Sequence, residues 1–166
     1  MARGMLRIYL GAAPGVGKTY AMLSEAHRRT ERGTDCVVAF VEHHHRPRTE
    51  VMPHGLEQVP RRRLLAAGID VVSTVNIQHL ESLGDVVESI TGVRQRETVP
   101  DEVVRRADDI ELVDMSPQAL RRRMAHGNIY QPDKVDAALA NYFRPGNLTA
   151  LRELAELPDL SAVAAS

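Results

Sequence analysis

Apolar residues fall into two kinds of run along this chain: short continuous stretches of strand length, and longer stretches in which they recur every three or four positions. Met5 to Leu10 is an apolar strand pattern, and Asp35-Cys36-Val37-Val38-Ala39-Phe40-Val41 is a continuous run of the first kind, which predicts a strand covered on both faces. Ile69 to Asn76 adds a third strand, and Ile110 to Asp114 a short fourth with an acidic end. Among the periodic stretches, Tyr20, Met22, Leu23, Ala26 and His27 predict a first helix that ends at Gly33. Leu80, Leu83, Val86, Val87 and Ile90 share one face of a helix from Gln78 to Ile90, stopped by Gly92. A short helix is expected from Asp101 to Asp108. Ser116, an N-cap followed by Pro117 at the first helical position, opens another that closes at His126-Gly127. Pro132 to Phe143 and Asn147 to Leu157 give two more, the second led by an asparagine cap. Glu50 to Leu65, with Pro53, Gly55 and Pro60, has poor periodicity and reads as loop with a short helix.

Alternating strands and helices predict an α/β fold with a mainly parallel sheet. In such sheets ligands gather at the carboxyl ends of the strands, and the segment after Leu10 is chemically specific. Ala12-Ala13-Pro14-Gly15-Val16-Gly17-Lys18-Thr19 has the spacing of a phosphate-binding loop in all but its first glycine, which is Ala12 with Gly11 just before it. Glycines let consecutive backbone N–H groups wrap a phosphate, the lysine reaches the β and γ oxygens, and the threonine hydroxyl serves Mg²⁺. The helix that starts there adds unpaired N–H donors and the positive end of its dipole. Lys18 and Lys134 are the only lysines against nineteen arginines, so a lysine at this position is hard to credit to chance. The expected ligand is ATP with Mg²⁺, held by Ala12 to Thr19, with Thr19 on the metal.

Composition narrows the setting. The 166 residues suit one domain, with 43% hydrophobic and 26% charged residues, an ordinary globular balance. No run approaches the ~18 apolar residues of a membrane span, and no apolar leader segment comes after Met1, so the chain reads as cytoplasmic. A net charge of -1 argues against bulk attraction to nucleic acid or an anionic membrane. Arg46, Arg48 and Arg61 to Arg63 form one basic run and Arg121 to Arg123 a second; both are expected on solvated faces. Cys36, the only cysteine, is expected to pack as a small apolar residue.

Gly11 to Thr19, Glu42-His43-His44-His45-Arg46, Thr74 to Leu83, and Arg96-Glu97-Thr98-Val99-Pro100-Asp101 occur in an order that closely resembles the KdpD family of potassium-responsive, turgor-linked sensor histidine kinases, in its N-terminal cytoplasmic domain. The likeness continues through Asp109 to Asp114, Gly127 to Tyr130, Phe143-Arg144 and Asn147 to Ala155. It implies a P-loop NTPase-like sheet in a two-component system, binding ATP to regulate a kinase rather than to perform phosphotransfer. It also implies a strand ending in an acidic Walker B pair where Arg63 here runs straight into Leu64, as though a βα unit had been excised. The loss is expected to leave a gap beside the first strand or to bring the third strand into its place. Residues 1–155 are then a KdpD-type nucleotide-binding domain and 156–166 a divergent tail. With no phospho-acceptor helix or kinase core in the sequence, autophosphorylation is not expected. Other parts of a KdpD-type sensor kinase or its regulator are the implied partners.

Other polar groups compete for roles. Asp114 ends an apolar strand and would hold Mg²⁺ if the chain were a small P-loop ATPase or kinase; Asp70 opens its strand and is less suited. The adjacent His43, His44 and His45 alternate faces on an extended chain and do not easily share one ion. Asn76 and Gln78, at the end of the third strand, are candidates to sense a γ-phosphate, or else simply start a helix. The third alternative is a non-binding interaction module whose loop is a relic.

Overall fold

A computed structural model describes residues 2–39, 57–58, 64–130 and 132–156. In chain order the elements are β1 (Leu6–Gly11), α1 (Lys18–Glu31), β2 (Val37–Val38), β3 (Glu57–Gln58) and β4 (Val71–Asn76). Then come α2 (Gly84–Thr91), α3 (Asp101–Arg105), β5 (Asp109–Leu112), α4 (Pro117–Ala125), α5 (Pro132–Ala140) and α6 (Pro145–Ala155). The main sheet has the order β4-β1-β5 and is all parallel, with Leu6 opposite Val71, Gly11 opposite Asn76, and Arg7 to Leu10 opposite Asp109 to Leu112. This is the expected α/β arrangement of parallel strands flanked by helices. Both sides of β1 are occupied. β4, the third strand expected from the sequence, lies directly beside it, so no gap opens there.

Two aspartates fix the amino end of β1. Asp70 Oδ1 accepts the N–H of Met5 at 2.7 Å from one side, and Asp108 Oδ2 accepts that of Leu6 at 2.7 Å from the other. Arg3 Nη2 lies 2.9 Å from the same Asp108 oxygen. Alternation along β1 then sends Leu6, Ile8 and Leu10 into a core with Ile77, Leu83 and Val87, and with Leu151 and Ala155 of α6. α1 lies against β1 and β4, and its Leu23 forms a small cluster with Val38 and the half-buried Met22, Ala26 and Cys36. Cys36 thus packs against apolar neighbours as expected, but just ahead of the Val37–Val38 strand and not within it, and it is free.

Several elements depart from expectation. The second strand was expected as a continuous run through residue 41, covered on both faces; within the described residues only Val37–Val38 is strand. It pairs in parallel with β3, in a ladder apart from the main sheet, and Val37 is 40% exposed. The expected helix from Gln78 begins only at Gly84, after single 3₁₀ turns at Ile77–His79 and Glu81–Leu83. Backbone groups at 79–81 bond sideways instead of along a helix: Val99 N–H donates to His79 O at 2.6 Å, and Glu81 N–H to Val99 O at 3.1 Å. α6 starts at Pro145 with Arg144 as its cap, ahead of the expected cap Asn147. Asn147 Nδ2 instead donates to Asn141 O at 3.0 Å, tying α6 back to the end of α5. α4 forms as expected, with Ser116 Oγ accepting the Ala119 N–H at 3.2 Å. Among the described residues no helix is long and apolar enough to cross a membrane.

Candidate functional site

The segment Ala12 to Thr19 joins the carboxyl end of β1 to α1 at the centre of the sheet. Gly15 and Gly17 take φ values of 90° and 106°, which L side chains rarely adopt. Ala12, Ala13, Gly15, Val16 and Lys18 are buried, and Pro14, Gly17 and Thr19 half-buried. The apolar members of the loop pack outward: Ala13 and Val16 share a core with Leu120, Met124, Ile129 and Phe143. The approach is closest at Gly15, where an added Cβ would fall 2.3 Å from Cδ1 of Ile129. The loop is thus backed by the helices of the C-terminal third, a relationship that the sequence pattern does not disclose. Its only signal is slight, an apolar Ile129 in the polar connector after His126-Gly127-Asn128.

Lys18 is only 8% exposed, although it is a cation. Its Nζ donates to Ala13 O at 3.2 Å and to Oδ1 of Asn76. The second bond reflects the register, since Asn76 faces Gly11 at the last pair of the β1–β4 ladder. Beside this lysine the Gly11 backbone has no room for a side chain: an added Cβ would lie 2.8 Å from Lys18 Cδ. The first turn of α1 carries no acidic residue, so nothing there offsets the positive end of its dipole. The two polar residues proposed at the end of β4 part company. Asn76 meets the loop lysine, whereas Gln78 is buried with its Oε1 accepting the hydroxyl of Tyr142. Burial pushes the Tyr142 phenol well above its usual range, so it serves as a neutral donor.

The carboxylates weighed for a metal are engaged elsewhere. Both oxygens of Asp114 accept hydrogen bonds from Arg152 of α6. Asp70 sits at the amino end of the sheet, the end opposite the loop. Among the described residues no group of three histidine, cysteine, aspartate or glutamate side chains gathers as a metal site. His43 to His45, with Glu42, Arg46, Arg48 and Arg61 to Arg63, lie outside the described residues. The Arg121 to Arg123 run was expected to be a solvated face, and only Arg122 is exposed. Arg121 Nη1 donates to Leu139 O at 3.0 Å and to Phe143 O. Arg123 is half-buried, its Nη1 4.0 Å from where a Cβ on Gly17 would stand.

A parallel sheet whose central strand delivers a glycine-rich loop and a buried lysine at its carboxyl end defines a P-loop-like α/β domain. The chain belongs to the KdpD family: the family model described as the osmosensitive K+ channel His kinase sensor domain matches residues 2–64 and 62–164. The sensor protein KdpD of Mycobacterium tuberculosis is 52% identical over 203 residues, covering 93% of this chain and 24% of that protein. Its counterpart in Escherichia coli is 40% identical over 92% of the chain and 22% of its own length. A putative sensor protein KdpD of Synechocystis is 40% identical, with 54% of its length covered. The chain thus spans about a quarter of the first two relatives and about half of the third. The aligned stretch of 203 residues exceeds the whole chain of 166, so at least 37 positions (203 less 166) have no counterpart here. The two family-model matches meet at residues 62–64, the junction where the sequence reads as shortened.

Proposed function

We propose that this chain is a regulatory nucleotide-binding domain of a KdpD-type potassium-responsive sensor, taking Mg-ATP at Ala12 to Thr19 without transferring its phosphate. The observation that carries the reading is Lys18: a buried ammonium at the mouth of a loop with two positive-φ glycines, held by carbonyl oxygens of Ala13 and Asn76. Carbonyl acceptors orient such a cation, and a polyphosphate would bind it far more strongly than either. Space at the loop fits that ligand, since Gly17 presents open backbone where a side chain would intrude. Thr19, half-buried at the start of α1, would offer its hydroxyl to Mg²⁺. When bound, Mg²⁺ would offset phosphate charge.

Family membership supports the regulatory half of the reading, and the break at residues 62–64 supports binding over hydrolysis, because the resemblance puts the acidic metal-holding pair in the lost block. A rival ATPase that uses Asp114 for Mg²⁺ is disfavoured by the Arg152 clasp on both of its oxygens. The remaining parts of a KdpD-type sensor or its regulator are the partners to which a nucleotide-dependent signal would pass. Isothermal titration with Mg-ATP tests the core of the proposal. Wild type should bind, and Lys18→Ala should lose about 1.5–3 kcal/mol, the value of a charge-assisted hydrogen bond. Absence of heat with folded protein would overturn the reading.

A further inference from the structure

We propose that Arg123 is a phosphate-contacting residue of the loop site, through which α4 reads the phosphate state of the nucleotide. The proposal rests on the reading of Ala12 to Thr19 as a nucleotide site. Leaving aside Gly17 and its neighbours Val16 and Lys18, the heavy atom of the described residues that stands within 4 Å of a Cβ on Gly17 is Nη1 of Arg123, at 4.0 Å. Gly17 directly precedes Lys18, so the guanidinium lies beside the stretch of loop that the reading assigns to the phosphates. A planar fork of N–H donors matches phosphate oxygens and carries a fixed charge, a better fit to that ligand than a lysine ammonium.

The helix that carries Arg123 is braced on both sides of it. Leu120 and Met124 are buried in the core that contains Ala13 and Val16 of the loop, so α4 is held against the back of the site. Arg121, two residues earlier, is fixed to the carbonyl of Leu139 in the last turn of α5 and to that of Phe143 just beyond it. Arg123 therefore reaches the loop from a fixed base, and a change in its position passes to α4 and from there to α5. A triphosphate places more charge within reach of the guanidinium than a diphosphate does. The C-terminal helices then respond to the triphosphate more than to the diphosphate.

The test uses the full 166-residue chain, titrated with Mg-ATP, Mg-ADP and inorganic tripolyphosphate, in wild type, Arg123→Ala, Arg123→Lys, Arg122→Ala and Lys18→Ala. Each variant is read below its own melting transition. Arg123→Ala should weaken Mg-ATP and tripolyphosphate by about tenfold or more and Mg-ADP by less, the scale of one charge-assisted hydrogen bond. Arg123→Lys should recover part of the loss, and Arg122→Ala, altered on the exposed side, should bind as wild type does. Amide exchange should slow across residues 117–130 on adding Mg-ATP to wild type but not to Arg123→Ala. Arg123→Ala that binds Mg-ATP as tightly as wild type, while Lys18→Ala binds it more weakly, would overturn the role of Arg123 and leave the nucleotide site standing. Folded wild type that binds none of the three ligands would overturn both.

Discussion

Arg152 clasps Asp114 with two nitrogens: Nε lies 2.8 Å from Oδ1 and 2.9 Å from Oδ2, and Nη2 lies 2.6 Å from Oδ2. The Asp114 hydrogen bonds above all hold the Arg152 guanidinium pKa above its ordinary value. The pair joins the last turn of α6 to the segment leaving β5, and it occupies the carboxylate that would otherwise be the nearest sequence candidate for a metal. Asp114→Asn should therefore leave Mg-ATP affinity unchanged in calorimetry. A variant that binds Mg-ATP much more weakly, or a wild-type phosphate release that this substitution abolishes, would restore the ATPase reading.

The Lys18–Asn76 bond predicts a stability effect separable from ligand binding. Asn76→Ala removes one acceptor from a buried ammonium, and hydrogen bonds to charged groups contribute about 1.5–3 kcal/mol. Urea denaturation of the ligand-free variant should show a loss on that scale. Saturating Mg-ATP should recover part of it, because phosphate oxygens would then take over the lysine. An unchanged midpoint in urea would show that Asn76 does not hold Lys18 in solution.

Acid should loosen the amino end of the sheet. The Leu6 backbone N–H above all, with the charge of Arg3 in support, holds the Asp108 carboxyl below the ordinary aspartate value of 3.8. The unfolded chain then binds the proton at higher pH than the folded one, so stability gained from Asp108 is present above 3.8 and is lost as pH falls through the lowered folded value. Melting temperature against pH should drop in that window for wild type and less steeply for Asp108→Asn. Parallel curves for the two proteins would remove Asp108 from the acid transition.

The parts of this molecule that are legible in its sequence are those decided locally. A continuous apolar run followed by Gly15-Val16-Gly17-Lys18 is self-describing, and so is the Ser116-Pro117 helix start, because cap and turn chemistry act within four residues. The site's supporting contacts are not legible, for the opposite reason. Asn76 reaches Lys18, 58 positions away in sequence, only because β4 pairs with β1. Ile129 touches Gly15 only because α4 folds back over the loop. The helix expected from Gln78 fails on the same ground: its periodicity is real, but Val99 competes for the backbone groups of His79 and Glu81. The strand Asp109–Leu112 alternates carboxylates with Ile110 and Leu112, yet these two apolar residues are 40% and 36% exposed. Strand order decides such coverage, and periodicity carries no information about strand order.

The contact between Gly15 and Ile129 gives the strongest test of how the loop is supported. At φ 90° an L side chain is strained, and an alanine Cβ would also meet Ile129 Cδ1 at 2.3 Å and Cγ1 at 2.6 Å. Overpacking of this kind costs about 1–3 kcal/mol, and the left-handed backbone adds roughly 1–2 kcal/mol. Gly15→Ala should therefore be among the more destabilising single changes in the loop, read as a lower urea midpoint. Ile129→Ala alone should also destabilise, by opening a cavity beside Phe143 and Met124. In the double variant the new methyl enters the space the isoleucine left, so only the backbone strain remains and the two losses should fall short of their sum. Simple additivity would mean that Ile129 does not back the loop at Gly15 in solution.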